Sequence, residues 1–202
     1  ALGEARTGAK RVQTIVRSLQ LLGGGDTKRE RVDVDEALER SLTAVESTLR
    51  YRAQVVRELG APGHVDGNGA QLVQVFASLL MNAVQAMPEE RSAANEIRVS
   101  SRREGGDVVV EVRDNGRGVP PELQTRIFEP FFTTKDVGGG MGLGLSIASG
   151  IVRAFGGTIT VSSKVSEGST FRVVLAAAPP VPPAVQARRR AHPMASAARL
   201  RI

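Results

Sequence analysis

Two apolar alternating runs that meet at a glycine pair constrain the fold of this chain more than any other feature. Alternating apolar residues over 97–99 lead into Gly105-Gly106, and the alternation resumes over 108–112. A period of two predicts strands with one buried face, and the glycine pair predicts a hairpin turn. Strands joined so closely pair antiparallel, so the sheet that contains them is antiparallel or mixed.

Helical periodicity flanks this hairpin on both sides. The strongest stripe runs from Gln71 to Met87, where apolar residues recur three and four positions apart and Pro88 ends the pattern. Further helices are predicted over 35–49, with Asp35 as the N-cap, and over 143–155. Further strands are predicted over 51–58, 158–163 and 170–176. This order predicts an α+β fold, a two-layer α/β sandwich whose mixed, mostly antiparallel sheet carries helices on one face.

The two ends of the chain differ from its middle. Residues 5–22 form a predicted amphipathic helix that ends at Gly23. Its apolar stripe packs either on a partner helix outside this chain or back onto the main domain. The tail begins with a Pro-rich stretch and contains five Arg and no acid, which accounts for most of the net charge of +6. We therefore expect a helix and hinge over 1–31, a globular domain over 32–178, and a tail or linker over 179–202.

Composition excludes several classes of function. The chain has no Cys, which excludes disulfides, thiolate metal sites and Cys nucleophiles. With only His64 and His192, a multi-histidine metal site is not expected. Aromatic residues make up 3% of the chain and offer few surfaces on which bases could stack, so nucleic acid is not an expected partner. No apolar run is long enough to span a bilayer and no apolar leader is visible. A cytoplasmic location is expected, and membrane attachment of a parent protein is left open.

A first motif, Asp114-Asn115-Gly116-Arg117-Gly118, follows the strand that ends near Val112. An Asp at a strand end has a rigid base, and we expect its carboxylate to be exposed. The glycines permit positive φ and the close approach of a ligand to the backbone. Asp-Asn-Gly is also common turn chemistry, so the motif alone leaves a simple turn open.

A second motif places five glycines within 138–144, directly before the predicted helix at 143–155. Free N–H groups at a helix N-terminus form an anion site, so this arrangement favours a phosphate cradle over a flexible linker. No Gly-Lys-Ser/Thr follows, which excludes a Walker A loop, and no strand immediately precedes the motif, which excludes a Rossmann fingerprint.

Two further segments carry polar groups beside apolar ones. Asn82 falls among the apolar positions of its helix, where a buried carboxamide needs partners or a ligand, and its oxygen could bind Mg²⁺. A satisfied core Asn is the alternative. The run 127–135 holds three Phe and ends in Lys135, which is close enough in sequence to the glycines to reach a phosphate.

Taken in order, these motifs resemble the N, G1, F and G2 boxes of sensor histidine kinases. These kinases belong to the ATPase superfamily shared with gyrase, the ninety-kilodalton heat-shock chaperone and MutL. The run Phe-Glu-Pro-Phe-Phe-Thr-Thr-Lys at 128–135 is typical of the kinases, and Asn-Ala-Val-Gln-Ala-Met at 82–87 is similar to the nitrogen-regulation and dicarboxylate-sensing type. The resemblance covers residues 6–177 and implies a Bergerat-type ATP-binding fold preceded by one long helix.

The resemblance also implies roles for individual residues and a cofactor, ATP or ADP with Mg²⁺. Asp114 would accept the adenine amine, with Gly116 and Gly118 beneath the base, and Thr170 would place a hydroxyl near it. Asn82 would hold Mg²⁺ and, with Lys135 in a mobile lid, serve catalysis. The phosphates would be covered by four residues of the glycine loop: Gly140, Gly142, Leu143 and Gly144.

The implied reaction is transfer of the ATP γ-phosphoryl group to a His on a hairpin helix that this chain does not contain. Residues 5–22 are similar to the second helix of the dimerisation and histidine-phosphotransfer hairpin. The implied partners are that hairpin and a response regulator receiver domain, within a homodimeric parent. Two residues depart from the pattern of the family. Ser78 stands where an Asn is usual, and Met141 stands where Thr or Ser is usual. The alternatives are an anti-sigma-type serine kinase or ATPase of the same fold, and a non-catalytic nucleotide-binding interaction module.

Overall fold

A computed structural model describes residues 28–88, 94–134 and 141–179 of the chain. The predicted helix at 5–22, most of the tail, Lys135 and Gly140 lie outside these residues. The described strands are β1 (Glu30–Asp33), β2 (Gln54–Leu59), β3 (His64–Gly67), β4 (Glu96–Glu104), β5 (Asp107–Asp114), β6 (Thr158–Lys164) and β7 (Gly168–Ala176). The described α-helices are α1 (Val34–Leu49), α2 (Gly69–Ala86) and α3 (Gly144–Ala154), with 3₁₀ turns at Pro121–Leu123 and Arg126–Phe128.

The main sheet has five strands in the order β2-β4-β5-β7-β6. Only the β2–β4 pair is parallel, and the other three described pairs are antiparallel. Glu104 pairs with Asp107 across the predicted turn, where Gly105 adopts a φ of +59°. The predicted hairpin and the mixed, mostly antiparallel sheet are therefore confirmed.

The three helices cover one face of this sheet. The odd-numbered residues of β4 and the even-numbered residues of β5 face the core, with Val99 and Val112 fully buried. Phe76 of α2 and Phe171 of β7 are the largest side chains buried between the layers. Burying such a side chain stabilises the fold by about 1.5–3 kcal/mol. The predicted two-layer α+β architecture is confirmed.

The opposite face of the sheet is charged. Arg102 and Arg172 both donate to Glu111, at 2.8 and 2.9 Å, and both also pair with Glu104. The two guanidinium groups hold the pKa values of both carboxyls below their usual range, although burial partly opposes this at Glu111. This face is thus polar, which leaves the helical face to form the core.

The start of α1 differs from the prediction. Asp33, with an extended backbone, is the N-cap, and its Oδ1 accepts from the Glu36 N–H at 3.1 Å. The predicted cap, Asp35, lies inside the first turn, where its carboxylate accepts from Ser101 Oγ at 2.5 Å and from the Ala61 N–H at 3.0 Å. The helix begins earlier because Val34 is fully buried and brings the first turn into the core.

A small second sheet was not predicted. β1 pairs antiparallel with β3, and each strand has only four residues, too few to show a clear alternation. β2 also begins later than predicted, at Gln54, because a turn over 50–52 follows α1. None of the described helices is long and apolar enough to cross a membrane.

Candidate functional site

A cavity of about 410 Å³ lies between α2, the loop that follows β5, and the start of α3. Its volume is within the range of small-molecule sites. Asn82 and Ser78 line it from α2, Gly118 from the loop, and Gly144 from α3. Apolar side chains complete the wall: Met81, Val119, Leu123, Ile127, Phe132 and Leu145. A polar ligand with a flat apolar part fits such a lining.

Asp114 is the last residue of β5, and the structure corrects the expectation that its carboxylate is exposed. Only 1% of its surface is accessible, because β7 and the core pack around it. Its Oδ1 accepts from the Gly116 N–H at 2.9 Å, while Oδ2 is buried and finds no donor within the described part of the chain. Burial raises the pKa of Asp114 to about 6, and the backbone amides of Gly116 and Ser169 oppose the rise. A buried acceptor without a partner is costly, so Oδ2 is complementary to a ligand donor.

The loop after Asp114 requires glycine at two positions. A Cβ on Gly116 would lie 2.6 Å from the Ala86 carbonyl oxygen. Gly118 has a φ of +69°, and a Cβ there would lie 2.1 Å from the Lys164 carbonyl oxygen. The loop is therefore held between the end of α2 and the β6–β7 turn, beside the cavity.

Asn82 lies on the cavity face of α2 and is half-buried, whereas the sequence pattern placed it close to the buried stripe. No hydrogen bond joins its carboxamide to another described residue. The described residues contain no group of three or more His, Cys, Asp or Glu that could hold a metal ion. A cation here would therefore need oxygen from Asn82 together with oxygen from a ligand, a donor set that suits Mg²⁺.

The start of α3 closes the far side of the cavity. Leu143 precedes the helix without a side-chain cap, so the first N–H groups are available to an anion. Gly142 has a φ of +65°, and a Cβ there would lie 2.4 Å from the Phe132 carbonyl oxygen. Its carbonyl accepts from the Phe131 N–H at 3.1 Å, which ties the phenylalanine segment to the helix start.

The structure brings some predicted site residues together and separates others. Asn82, Gly118, Gly142 and Gly144 line one cavity, with Asp114 and Gly116 next to it. Thr170 does not line this cavity, whereas its neighbour Ser169 does. Ser169 shares the buried face of β7 with Phe171, so the two-residue alternation of that strand could have identified it. His64 lies on β3, where its Nε2 is 3.9 Å from Asp33 Oδ2.

Residues 67–179 match the family described as histidine kinase-, DNA gyrase B- and HSP90-like ATPases. The chain belongs to this ATPase family.

Curated relatives within this ATPase family include sensor kinases. The chain is 36% identical to the sensor kinase CckA of Brucella abortus, over 83% of this chain and 19% of that protein. It is 33% identical to the sensor protein FixL of Bradyrhizobium diazoefficiens, over 88% of this chain and 35% of that protein. The chain thus spans about a fifth to a third of these relatives.

A solved histidine kinase structure supports the fold assignment. The catalytic domain of the histidine kinase ThkA matches with a TM-score of 0.65 and 27% identity, over 74% of this chain and 96% of that domain. The resemblance to the ATP-binding domain of sensor histidine kinases, and the Bergerat-type fold that it implied, are therefore confirmed. The cavity is the candidate nucleotide site of this ATPase domain, because its lining includes Ser169, the register partner of Asp114, and Gly144 at the start of α3.

Proposed function

We propose that this chain is the catalytic part of a two-component sensor histidine kinase, which transfers the γ-phosphoryl group of ATP to a His on a separate helical hairpin. The observation that carries this proposal is the unpaired, buried Oδ2 of Asp114 beside a cavity that ends at the N-terminus of α3. One end of the site thus offers an acceptor to a base, and the other offers N–H groups to phosphate.

At the base end, Asp114 would accept a hydrogen bond from the adenine amine. An ionised acceptor strengthens such a bond, which is worth about 1.5–3 kcal/mol. Ser169 lies next to Asp114 across the β5–β7 pair and lines the cavity. Its hydroxyl is therefore better placed than that of Thr170 to complete the recognition of the base.

At the phosphate end, the N–H groups at the start of α3 would bind and orient the phosphates. Phosphoryl transfer requires positioning and charge neutralisation more than covalent chemistry. Asn82 would hold Mg²⁺, which supplies charge neutralisation to the phosphates when bound. Lys135 and Gly140, outside the described residues, and Leu143 are proposed for the same end of the site.

The proposed partners are the dimerisation and phosphotransfer hairpin, to which residues 1–31 would contribute the second helix, and a response regulator receiver domain. Residues 32–178, together with the start of β1 at Glu30, would form the catalytic domain, and 179–202 would form a linker. Support comes from the sensor-kinase relatives and from ThkA, which has been solved in complex with a response regulator. We place this function in the cytoplasm of a homodimeric parent, where ATP is available.

Transfer of labelled phosphate tests the proposal. The chain would be incubated with Mg²⁺ and γ-labelled ATP, together with a hairpin from a related sensor kinase that carries its phosphoacceptor His. We expect label on the hairpin that is acid-labile and base-stable, as phosphohistidine is, and none on a hairpin whose acceptor His is replaced by Ala. Acid-stable label would support a serine kinase instead, and ATP binding without any transfer would support a non-catalytic module.

A further inference from the structure

The C-terminal end of α2 lies beside the base end of the cavity and needs hydrogen-bond donors. An α-helix leaves its last four carbonyl groups without partners inside the helix. The last turn of α2 contains no Lys, Arg or His, and the Met87 N–H donates to the carbonyl of Val84 at 3.2 Å. The carbonyls of Gln85 and Ala86 therefore depend on donors from elsewhere in the fold.

Arg117 supplies both donors. Its backbone N–H donates to the Ala86 carbonyl at 3.0 Å, and its guanidinium Nη2 donates to the Gln85 carbonyl at 2.5 Å. A cation at this position also complements the negative end of the helix dipole. One residue of the loop thus caps the end of α2.

Arg117 also reaches a third element. Its own carbonyl accepts from the Ser166 N–H at 2.8 Å, in the turn between β6 and β7. The side chain is exposed and lines the mouth of the cavity. Arg117 therefore joins α2, the loop that follows β5 and the β6–β7 turn at the rim of the cavity.

These contacts set the geometry around Asp114. Gly116 precedes Arg117, donates to Asp114 Oδ1, and is packed so closely on Ala86 that a Cβ would lie 2.6 Å from its carbonyl oxygen. The orientation of the Gly116 N–H, and with it that of the Asp114 carboxylate, thus depends on how firmly the loop is held against α2.

We propose that Arg117 is a positioning residue for base recognition, which acts on Asp114 through Gly116 and the end of α2. The inference rests on the proposed function, because Asp114 must bind adenine for the position of its carboxylate to matter. The expected consequence is selectivity for adenine over guanine, since guanine presents a carbonyl oxygen at the position of the adenine amine, and a carbonyl cannot donate to Oδ2.

The test compares Arg117→Ala, Arg117→Lys and a matched charge control, Arg40→Ala, in which an exposed Arg is removed from α1. Calorimetric titration gives the affinities of the full chain for adenosine, ADP and GDP in the presence of Mg²⁺. We expect Arg117→Ala to weaken ADP and adenosine binding alike, by about 5- to 20-fold, while GDP binding changes little. Arg117→Lys should recover part of the loss, because a lysine can still donate to a carbonyl, and Arg40→Ala should bind as wild type does.

The possible outcomes distinguish a failure of the role given to Arg117 from a failure of the proposed function. A wild-type chain that does not bind ADP contradicts the proposed function itself. A wild-type chain that binds ADP, with Arg117→Ala equal to it in affinity and in the ADP-to-GDP ratio, overturns only the role of Arg117. Equal losses for ADP and GDP would also overturn it, because they would show general damage to the site instead of a defect in base recognition.

Discussion

Asp114 and Ser169 are register partners on β5 and β7, and both are buried, with 1% and 4% of their surfaces exposed. Ser169 Oγ lies 3.0 Å from Ser163 Oγ, and Ser163 Oγ in turn accepts from the Val119 N–H at 2.8 Å. The carboxylate and its neighbouring hydroxyl are thus connected to the loop that forms one wall of the cavity. In the proposed function, base recognition would therefore rest on two paired strands of the sheet.

The affinity for ADP should depend on pH through Asp114. Its pKa of about 6 means that the carboxyl is ionised at pH 7 and increasingly protonated below pH 6. A protonated group is a poorer acceptor, so affinity should fall as pH is lowered through about 6, approaching tenfold per pH unit. Calorimetry from pH 5 to pH 8 measures this profile. A flat profile in wild type would show that Asp114 does not take part in binding.

The stability of the unliganded chain should depend on pH in the opposite direction, falling as pH rises. Because the folded pKa lies above the usual value of 3.8, this carboxyl contributes stability below about pH 4, and the contribution is lost as pH rises through about 6. The shift in pKa corresponds to a total loss of about 3 kcal/mol of unfolding free energy over this pH range. Asp114→Asn lacks this titration. Between pH 4 and pH 6, urea unfolding should therefore show the free energy of unfolding of the variant rising relative to that of wild type. A constant difference over that window would contradict the burial of the charge.

Ser169→Ala and Thr170→Ala form a matched pair on one strand. Ser169 lines the cavity, whereas Thr170 does not. We expect Ser169→Ala to weaken ADP binding several-fold, within the range of about 0.5–1.5 kcal/mol for a neutral hydrogen bond, and Thr170→Ala to leave it unchanged. Fluorescence titration of an ADP analogue would compare the two. Loss of affinity in Thr170→Ala alone would restore the role that the sequence resemblance gave to Thr170.

Gly118→Ala tests the tight approach of the loop to the β6–β7 turn, and Gly105→Ala is its control. Both glycines have positive φ, but a Cβ at Gly105 would meet nothing within 4 Å, whereas one at Gly118 would lie 2.1 Å from the Lys164 carbonyl. Gly105→Ala should cost about 1 kcal/mol of unfolding free energy from backbone strain, and Gly118→Ala clearly more. Urea unfolding measures both. Equal losses of unfolding free energy in the two variants would mean that the loop does not touch the turn.

Much of this fold could be predicted because its signals are local. The alternation on both sides of Gly105-Gly106 defines a hairpin without reference to any other segment, and the stripe from Gln71 to Met87 defines α2 in the same way. The cap of α1 could not be assigned as safely, since Asp33 and Asp35 are both acceptable caps in sequence. Only the burial of Val34 against the rest of the core decides between them.

The site was predicted less completely because it depends on contacts between distant segments. The burial of Asp114 requires β7, and the choice of Ser169 over Thr170 requires knowing which face of β7 meets the core. The capping of α2 by Arg117 joins a helix end to a loop that follows two strands later. Sequence patterns identify the residue types of such a site, but the three-dimensional packing determines which of them meet.

Asn82→Ala should separate metal-dependent from metal-independent binding. Asn82 lines the cavity. In the proposed function its carboxamide oxygen would hold the cation, while Asp114 would bind the base without one. In wild type, ADP affinity should be higher with Mg²⁺ than with EDTA. In the variant this gain should be lost, while the affinity in EDTA stays near that of wild type. An undiminished Mg²⁺ effect in Asn82→Ala would place the metal elsewhere.

Calorimetric titration of Mg²⁺-ADP into wild type and into Asp114→Asn at pH 7.5 tests directly whether Asp114 recognises adenine. The substitution keeps the size of the side chain and replaces the charged acceptor at the base end of the site. We expect wild type to bind ADP and the variant to have a dissociation constant about 10- to 100-fold higher, the equivalent of losing one charged hydrogen bond. Equal affinity in the two proteins would contradict the assignment of Asp114 as the residue that recognises adenine.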